Sequence, residues 1–462
     1  MKKRIVCLLL ALASLFSVCA CSCIRSEEKY DYDLSEYISI PDYKNQTYQI
    51  EEDDIKLAIG AYLLQFASEY TVQRGDKIKV DIKFFNLLDP EIDAKGEEIT
   101  ELAQKDLWLE HVAKPSQDGN YVISSQVENG ILGGKINATI SNTYTISNDF
   151  FVEEYRGKRL IVEATVTNRA CKAGDVLTAS YTGYHIDKDG NIIRENDKDK
   201  TFDSSDNSPF FIGSNLAIKD IEDGLVGMTI GEEKNIYATF PEDYEPSKDL
   251  AGKRVLFKIK IKTFYKPSTY DDDFVKTYFA TFKNTKEFEE SLKRELTLTK
   301  VYDYINSKAQ VFEFPRAEYD ASLDQLTSIA NLWYQQYSIT LEQYVKNEYG
   351  MTIDQYIKSN MKTEMIFYYL RDLIGTDAIP TETELTAMKE SLVQQYKKEY
   401  MTSNGLTESQ AISKANEYVE SLGESYIYEQ VMYGKIDEII ASQVKIDFIP
   451  SEKDYIFDAK TE

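Results

Sequence analysis

Histidine is almost missing from this chain of 462 residues, which has His111 and His185 and no other. Cysteine is nearly as scarce, and Cys7, Cys19, Cys21 and Cys23 crowd the N-terminus, leaving Cys171 alone in the body. A His/Cys metal site needs several such ligands around one point. Zinc and haem chemistry are therefore excluded from the folded part, and no metal or other cofactor is expected. Basic residues are also in deficit, with 53 Lys and Arg against 78 Asp and Glu and a net charge of −25. Such an average field repels nucleic acid and anionic surfaces, which leaves neutral or basic partners. Past the N-terminus no apolar run approaches the roughly 20 residues that span a bilayer. What the chain does have is 42% hydrophobic and 12% aromatic content, enough for several cores at about 100–200 residues per domain.

Lys2, Lys3 and Arg4 precede an apolar run over residues 5–20, the layout of an export signal. Val18-Cys19-Ala20-Cys21 resembles a bacterial lipobox, in which a cysteine receives a diacylglyceryl group before cleavage. Residues 1–20 are predicted to be a lipoprotein signal peptide with Cys21 lipidated and Cys23 as a second candidate. An ordinary signal peptide with incidental cysteines is the alternative. Residues 21–50, polar and tyrosine-rich without a period, read as a tether with at most one extended strand. Together these place the chain on the extracytoplasmic face of a bacterial cell membrane, held there by acyl chains.

Ile55, Ile59, Tyr62, Leu63 and Phe66 fall at helical spacing, so a helix leads into the first globular part. Two stretches then repeat each other. Gly75-Asp76-Lys77-Ile78-Lys79-Val80 corresponds to Gly174-Asp175-Val176-Leu177-Thr178-Ala179, Glu128-Asn129-Gly130-Ile131-Leu132-Gly133 to Glu222-Asp223-Gly224-Leu225-Val226-Gly227, and Gly157-Lys158-Arg159-Leu160-Ile161-Val162 to Gly252-Lys253-Arg254-Val255-Leu256-Phe257. The matches keep their order at a spacing of about 95 residues, the mark of an internal duplication. Each copy alternates strands with one short Glu-x-Gly segment, which predicts a small antiparallel sheet packed on one helix. Asp187-x-Asp189-x-Asn191 lacks the glycine and glutamate of a calcium loop, and Asp189-Gly190 reads as a hairpin turn. Gly133-Gly134-Lys135 lacks the rest of a phosphate loop, and Asp271-Asp272-Asp273 reads as a helix start.

The second copy carries Ala179-Ser180-Tyr181-Thr182-Gly183, Thr201-Phe202-Asp203-Ser204-Ser205, Pro209-Phe210-Phe211-Ile212-Gly213, Ala217-Ile218, Ile221-Glu222-Asp223-Gly224, Phe240-Pro241-Glu242-Asp243-Tyr244 and Leu256-Phe257-Lys258-Ile259. In that order these strings resemble the FKBP family of peptidyl-prolyl isomerases. The resemblance implies that Tyr181, Phe202, Phe210, Ile218, Ile221 and Phe257 line a proline pocket. It also implies that the Ile218 amide and the Tyr244 hydroxyl hold substrate carbonyls and that Asp203 polarises the rim. Asp220 stands where the family has glycine, Ile221 where it has an aromatic floor, and Ala217 where it has valine. A shallower and weaker pocket follows. The first copy has Ile82 for Tyr181, Phe150 roughly for Tyr244, and no Phe-Asp-Ser-Ser string, so it reads as a degenerate, non-catalytic module.

After Pro267 the pattern turns to long amphipathic helices, opened by capping boxes at Thr340/Gln343, Thr352/Gln355, Thr381/Glu384 and Thr407/Gln410. Their apolar stripes carry Tyr334, Tyr337, Tyr344, Tyr356, Tyr368, Tyr369, Tyr426 and Tyr433 with Met361, Met365 and Met432. These are either core or an adaptable surface for unfolded chains. An FKBP-like part followed by helices resembles trigger factor, and Asp272-Asp273-Phe274-Val275, Phe314-Pro315 and Met351-Thr352-Ile353-Asp354-Gln355-Tyr356 fit that family's helical domain. The Gly-Phe-Arg-x-Gly-x-x-Pro loop of its ribosome-binding domain does not occur, so no ribosome docking is expected. The predicted fold class is α+β, with two tandem FKBP-like sheet-plus-helix domains, the first degenerate, and then an all-α chaperone domain. The predicted boundaries are 51–168 for the linker helix and first copy, 169–267 for the isomerase, 268–450 for the helices and 451–462 for a tail. The resemblance implies a membrane-tethered foldase that isomerises X-Pro bonds in unfolded or nascent exported polypeptides. A non-catalytic holdase or surface-interaction lipoprotein built on the same scaffold is the other reading.

Overall fold

The computed structural model describes residues 29–458 except 90, 243, 245, 246, 280 and 338, with backbone alone at 329–337. The export segment and Cys21 lie outside the described residues. The fold mixes antiparallel sheets with ten α-helices among the described residues, and none of these helices is long and apolar enough to cross a membrane. The chain divides into two compact units, one of residues 53–289 with 451 onward, the other of 290–450 with the segment before 53.

The first unit begins with α1 (Glu52–Gln65), whose Ile55, Ile59 and Leu63 recur every fourth residue and are all buried. Two sheets follow. The first is built from β1 (Ile78–Asp89), β2 (Ala94–Glu98), β3 (Gln104–Leu109), β4 (Thr139–Thr145) and β5 (Arg159–Arg169), with α2 (Ser125–Gly130) packed against β4. Its order is β2-β1-β5-β4, with β3 also on β1. The second uses β6 (Val176–His185), β7 (Thr201–Phe211), β8 (Glu233–Thr239) and β9 (Arg254–Lys266), with α3 (Lys219–Leu225) beside β8. Its order is β7-β6-β9-β8. Four strands follow the same order in both sheets, the fifth of the second being Ser68–Glu69 on β9, and the register matches as well: Ile82 faces Ala164 and Phe84 faces Val162 in the first, where Tyr181 faces Ile259 and Gly183 faces Phe257 in the second.

The aspartates of the duplicated Gly-Asp turns are held by two neighbouring cations, Arg169 and Lys172. Arg169, 1% exposed, pairs with Asp175 and lies over the rings of Tyr70 (4.4 Å) and Phe264 (4.3 Å). Tyr70 donates to Asp76, which also pairs with Lys172 at 2.5 Å. A charge this deep requires such partners. Asp189-Gly190 forms the expected turn, with Gly190 at φ 87° and its N–H on Asp187. Asp271 caps α4 (Asp272–Tyr278) by accepting from the Phe274 N–H. Cys171 is a free, buried thiol.

The second unit holds most of α5 (Thr285–Lys308), then α6 (Arg316–Tyr337), α7 (Leu341–Tyr349), α8 (Ile353–Ile374), α9 (Glu382–Ser403) and α10 (Glu408–Gln443), which is broken at Gly423 with φ 81°. Reciprocal capping boxes open α7, α8 and α9, and at α10 the Gln410 side chain accepts from both Thr407 N–H and its hydroxyl. Tyr356, Tyr368, Met361, Met365 and Met432 are buried, which makes them core; the side chains of Tyr334 and Tyr337 lie outside the described residues.

Three sequence expectations change. The stretch predicted as a tether is folded from residue 29 on: Tyr30, Leu34, Ile38, Tyr43, Tyr48 and Ile50 are buried in the core of the second unit. Within it Ile38–Ser39 pairs antiparallel with Gln310–Val311, and Thr47–Glu51 pairs parallel with Lys445–Ile449, so the helical half is not all-α. The predicted tail is also anchored as far as Asp458, with Tyr455 3% exposed inside the first unit.

Candidate functional site

Along β6 one face carries Leu177, Ala179, Tyr181 and Gly183. The first two are sealed in the core, and Tyr181 is partly exposed at the open end of the sheet. Gly183 leaves the surface of the strand bare, and the Phe202 ring lies across it; a Cβ there would stand 2.5 Å from the ring. Phe202 meets Phe257 edge to face at 5.5 Å, and Tyr181 meets Phe257 at 5.8 Å and Phe210 at 6.4 Å. Such tilted ring pairs build a rigid apolar wall. Ala217 and Ile221 are buried beside them, and Ile218 and Tyr244 are partly exposed against the same cluster.

The rim is polar. Tyr181 donates to Asp203 Oδ2 at 2.6 Å, and Asp203 Oδ1 accepts from the Ser204 N–H at 2.8 Å. Burial, followed by the Asp203 carboxylate and the nearby Tyr244, pushes the Tyr181 phenol well above its ordinary range, so it stays a donor at neutral pH. Ile218 is the N-cap of α3, and its C=O accepts from the Ile221 and Glu222 N–H groups. Glu222, itself buried, reaches back to accept the N–H groups of Gly213 (2.8 Å), Ala217 (3.0 Å) and Asn215 (3.4 Å), which fixes the loop before α3. Glu128 does the same in the first copy with Val122, Ile123 and Ala113.

All eight residues singled out in the sequence thus converge: Tyr181, Phe202, Asp203, Phe210, Ile218, Ile221, Tyr244 and Phe257. Three neighbours were missed. Gly183 is one. Phe240, 5% exposed, joins Phe202 (5.8 Å) to Tyr244 (4.6 Å); its alternation with Ile236 and Ala238 was the available signal. His185 lies 5.3 Å from Phe202, and burial, then Lys200 and Lys253, hold its pKa below the ordinary value, so it is a neutral ring at physiological pH. Asp220, a departure in the sequence, accepts from the Thr239 N–H at 3.0 Å and ties α3 to the end of β8.

The first copy has no such opening. Phe84 stands in the place of Gly183, fully buried, and meets the equally buried Phe150 at 5.4 Å. In the second copy the Phe202 ring, partly exposed, takes the place that the buried Phe84 side chain fills in the first.

Residues 167–262 match the family model of the FKBP-type peptidyl-prolyl cis-trans isomerase. Among curated proteins the chain is similar to the trigger factors of Ureaplasma urealyticum (30% identity, 34% of this chain and 39% of the relative), Carboxydothermus hydrogenoformans (27%, 50% and 56%) and Campylobacter jejuni (33%, 32% and 31%). The chain spans between about a third and just over half the length of these relatives. A solved structure of the trigger factor chaperone aligns over 61% of this chain and 75% of its own at 14% identity, with a TM-score of 0.18.

Proposed function

We propose that the second copy is a peptidyl-prolyl isomerase site acting on X-Pro bonds of unfolded polypeptides, and that the chain works as a membrane-tethered, extracytoplasmic foldase and chaperone for exported proteins. The observation that carries this reading is the aromatic cluster of Tyr181, Phe202, Phe210 and Phe257 under a polar rim, with Tyr181 and Phe202 partly exposed, set against the fully buried Phe84 and Phe150 of the first copy.

An X-Pro amide rotates over a barrier of about 18–20 kcal/mol because the twisted form loses resonance. The twisted form is also less charge-separated than the planar one, so an apolar wall that strips water from the amide disfavours the planar ground state more. The rings would seat the proline. The Ile218 N–H, for which no acceptor occurs among the described residues, and the Tyr244 hydroxyl would hold the flanking carbonyls. The Tyr181 to Asp203 hydrogen bond would keep the rim in place. No nucleophile or base is called for.

The filled first copy favours a second reading, in which the whole scaffold only binds unfolded chains. Tyr244→Phe separates the two. Under the isomerase reading it lowers turnover of an X-Pro peptide by about threefold to tenfold, the worth of one lost hydrogen bond, and leaves capture of an unfolded client unchanged. Turnover equal to that of the unaltered chain would reject the role given to Tyr244.

A further inference from the structure

Near the end of an otherwise polar stretch, Tyr455, Ile456 and Phe457 form an apolar triplet. Residues 451–458 run back to the first unit and are fastened at both ends. Asp53, at the start of α1, accepts from the Ser451 hydroxyl and from Lys453 Nζ at 2.5 Å, and Lys56 pairs with Asp458 at 2.6 Å. Between these points Phe457 lies against Phe211 with ring centroids 6.0 Å apart, and over Gly60, where a Cβ would come 3.2 Å from its ring. The Ile456 N–H donates to the Gly213 C=O at 3.4 Å, and its side chain covers Gly213 and Gly174.

The contacts at Phe211 and Gly213 fall at the start of the loop that leads to Ile218. Phe211 directly follows the pocket ring Phe210. Gly213, at φ 87°, begins the turn that leads to Ile218. Glu222 grips this loop from within, and Ile456 and Phe457 close it from outside. In the first copy, where the pocket is filled, Val122 on the loop that Glu128 grips is 51% exposed.

We infer that residues 451–458 are a strap that holds the 213–218 loop in its substrate-binding geometry, so that Ile456 and Phe457 are positioning residues of the isomerase site. The catalytic consequence rests on the isomerase reading above; the mechanical one does not. The strap touches no substrate and acts by limiting how often the loop opens.

Amide hydrogen exchange and X-Pro peptide turnover are to be measured on the intact chain, on Phe457→Ala, and on a chain shortened after Pro450. The expected result is exchange at Gly213, Asn215 and Ala217 faster by about tenfold or more, with rates in Glu233–Thr239 unchanged. KM is expected to rise more than kcat falls. Unaltered loop exchange in both variants overturns the inference. A uniform rise across the unit also overturns it, because Phe457 would then be a general stability contact. Should the shortened chain unfold, Phe457→Ala decides alone. Absence of turnover in the intact chain removes the isomerase reading and the catalytic consequence together, and the exchange rates still decide the strap.

Discussion

Gly183 stands opposite Phe257 in the second sheet, where the first sheet has Phe84 opposite Val162. Since a Cβ at 183 would intrude on the Phe202 ring, Gly183→Ala is expected to push Phe202 outward. Overpacking of this kind costs about 1–3 kcal/mol. Peptide turnover should fall by more than the urea-unfolding loss accounts for; full turnover with Phe202 displaced would contradict the pocket as drawn. In the second unit Asp437 accepts a hydrogen bond from Tyr302. Burial raises its pKa to about 6, against the lowering influence of Tyr302 and Arg294 and with a small push from Glu438. A carboxyl whose folded pKa lies above its unfolded one stabilises the fold in full below the unfolded value, near pH 4, and this contribution is lost as pH rises through about 6. Asp437→Asn should therefore flatten the fall in stability between pH 4 and 7 and leave the protein about 1–3 kcal/mol firmer at neutral pH than the unaltered chain. Parallel pH profiles for the two would refute it.

At the scale of elements, the helix-and-loop clamp made by Glu128 and Glu222 occurs twice, each carboxylate buried and receiving three backbone N–H groups. Unmet buried donors cost about 1–3 kcal/mol each. Both Glu128→Ala and Glu222→Ala are expected to lower stability by about 2–4 kcal/mol in urea unfolding, and Glu222→Ala alone to impair turnover. Equal impairment by both would argue that the copies share the work. The elements with a local signature were legible in the sequence: the period of Ile55, Ile59 and Leu63, the Thr-x-x-Gln/Glu boxes, the repeated Gly-Asp and Glu-x-Gly segments. Strands whose partners lie far along the chain were not. Nothing local in Tyr48 or Ile50 announces a pairing with Ile446 and Phe448, and nothing in Ser451 or Lys453 announces Asp53. For the site, the motif strings gave the rings, whereas the task of Gly183 emerges only once Phe202 is laid over it, and Phe240 stood in a quoted string without being counted as wall.

At the scale of the molecule, one duplicated scaffold appears in two forms: a first copy with Phe84 and Phe150 fully buried, and a second with Tyr181 and Phe202 partly exposed at its rim and the segment 451–458 against its loop. The helical unit, cored by tyrosine and methionine, brings the N-terminal segment 29–51 into its own core. Its buried aromatic stripes therefore serve packing. The central claim is that the second copy catalyses. Its most direct test is the cis-to-trans relaxation of an X-Pro peptide, followed with the intact chain and with Phe202→Ala shown by circular dichroism to be folded. The account expects the intact chain to shorten a relaxation that takes tens to hundreds of seconds uncatalysed, and the variant to lose most of that acceleration. A folded intact chain that leaves the uncatalysed rate untouched would contradict it.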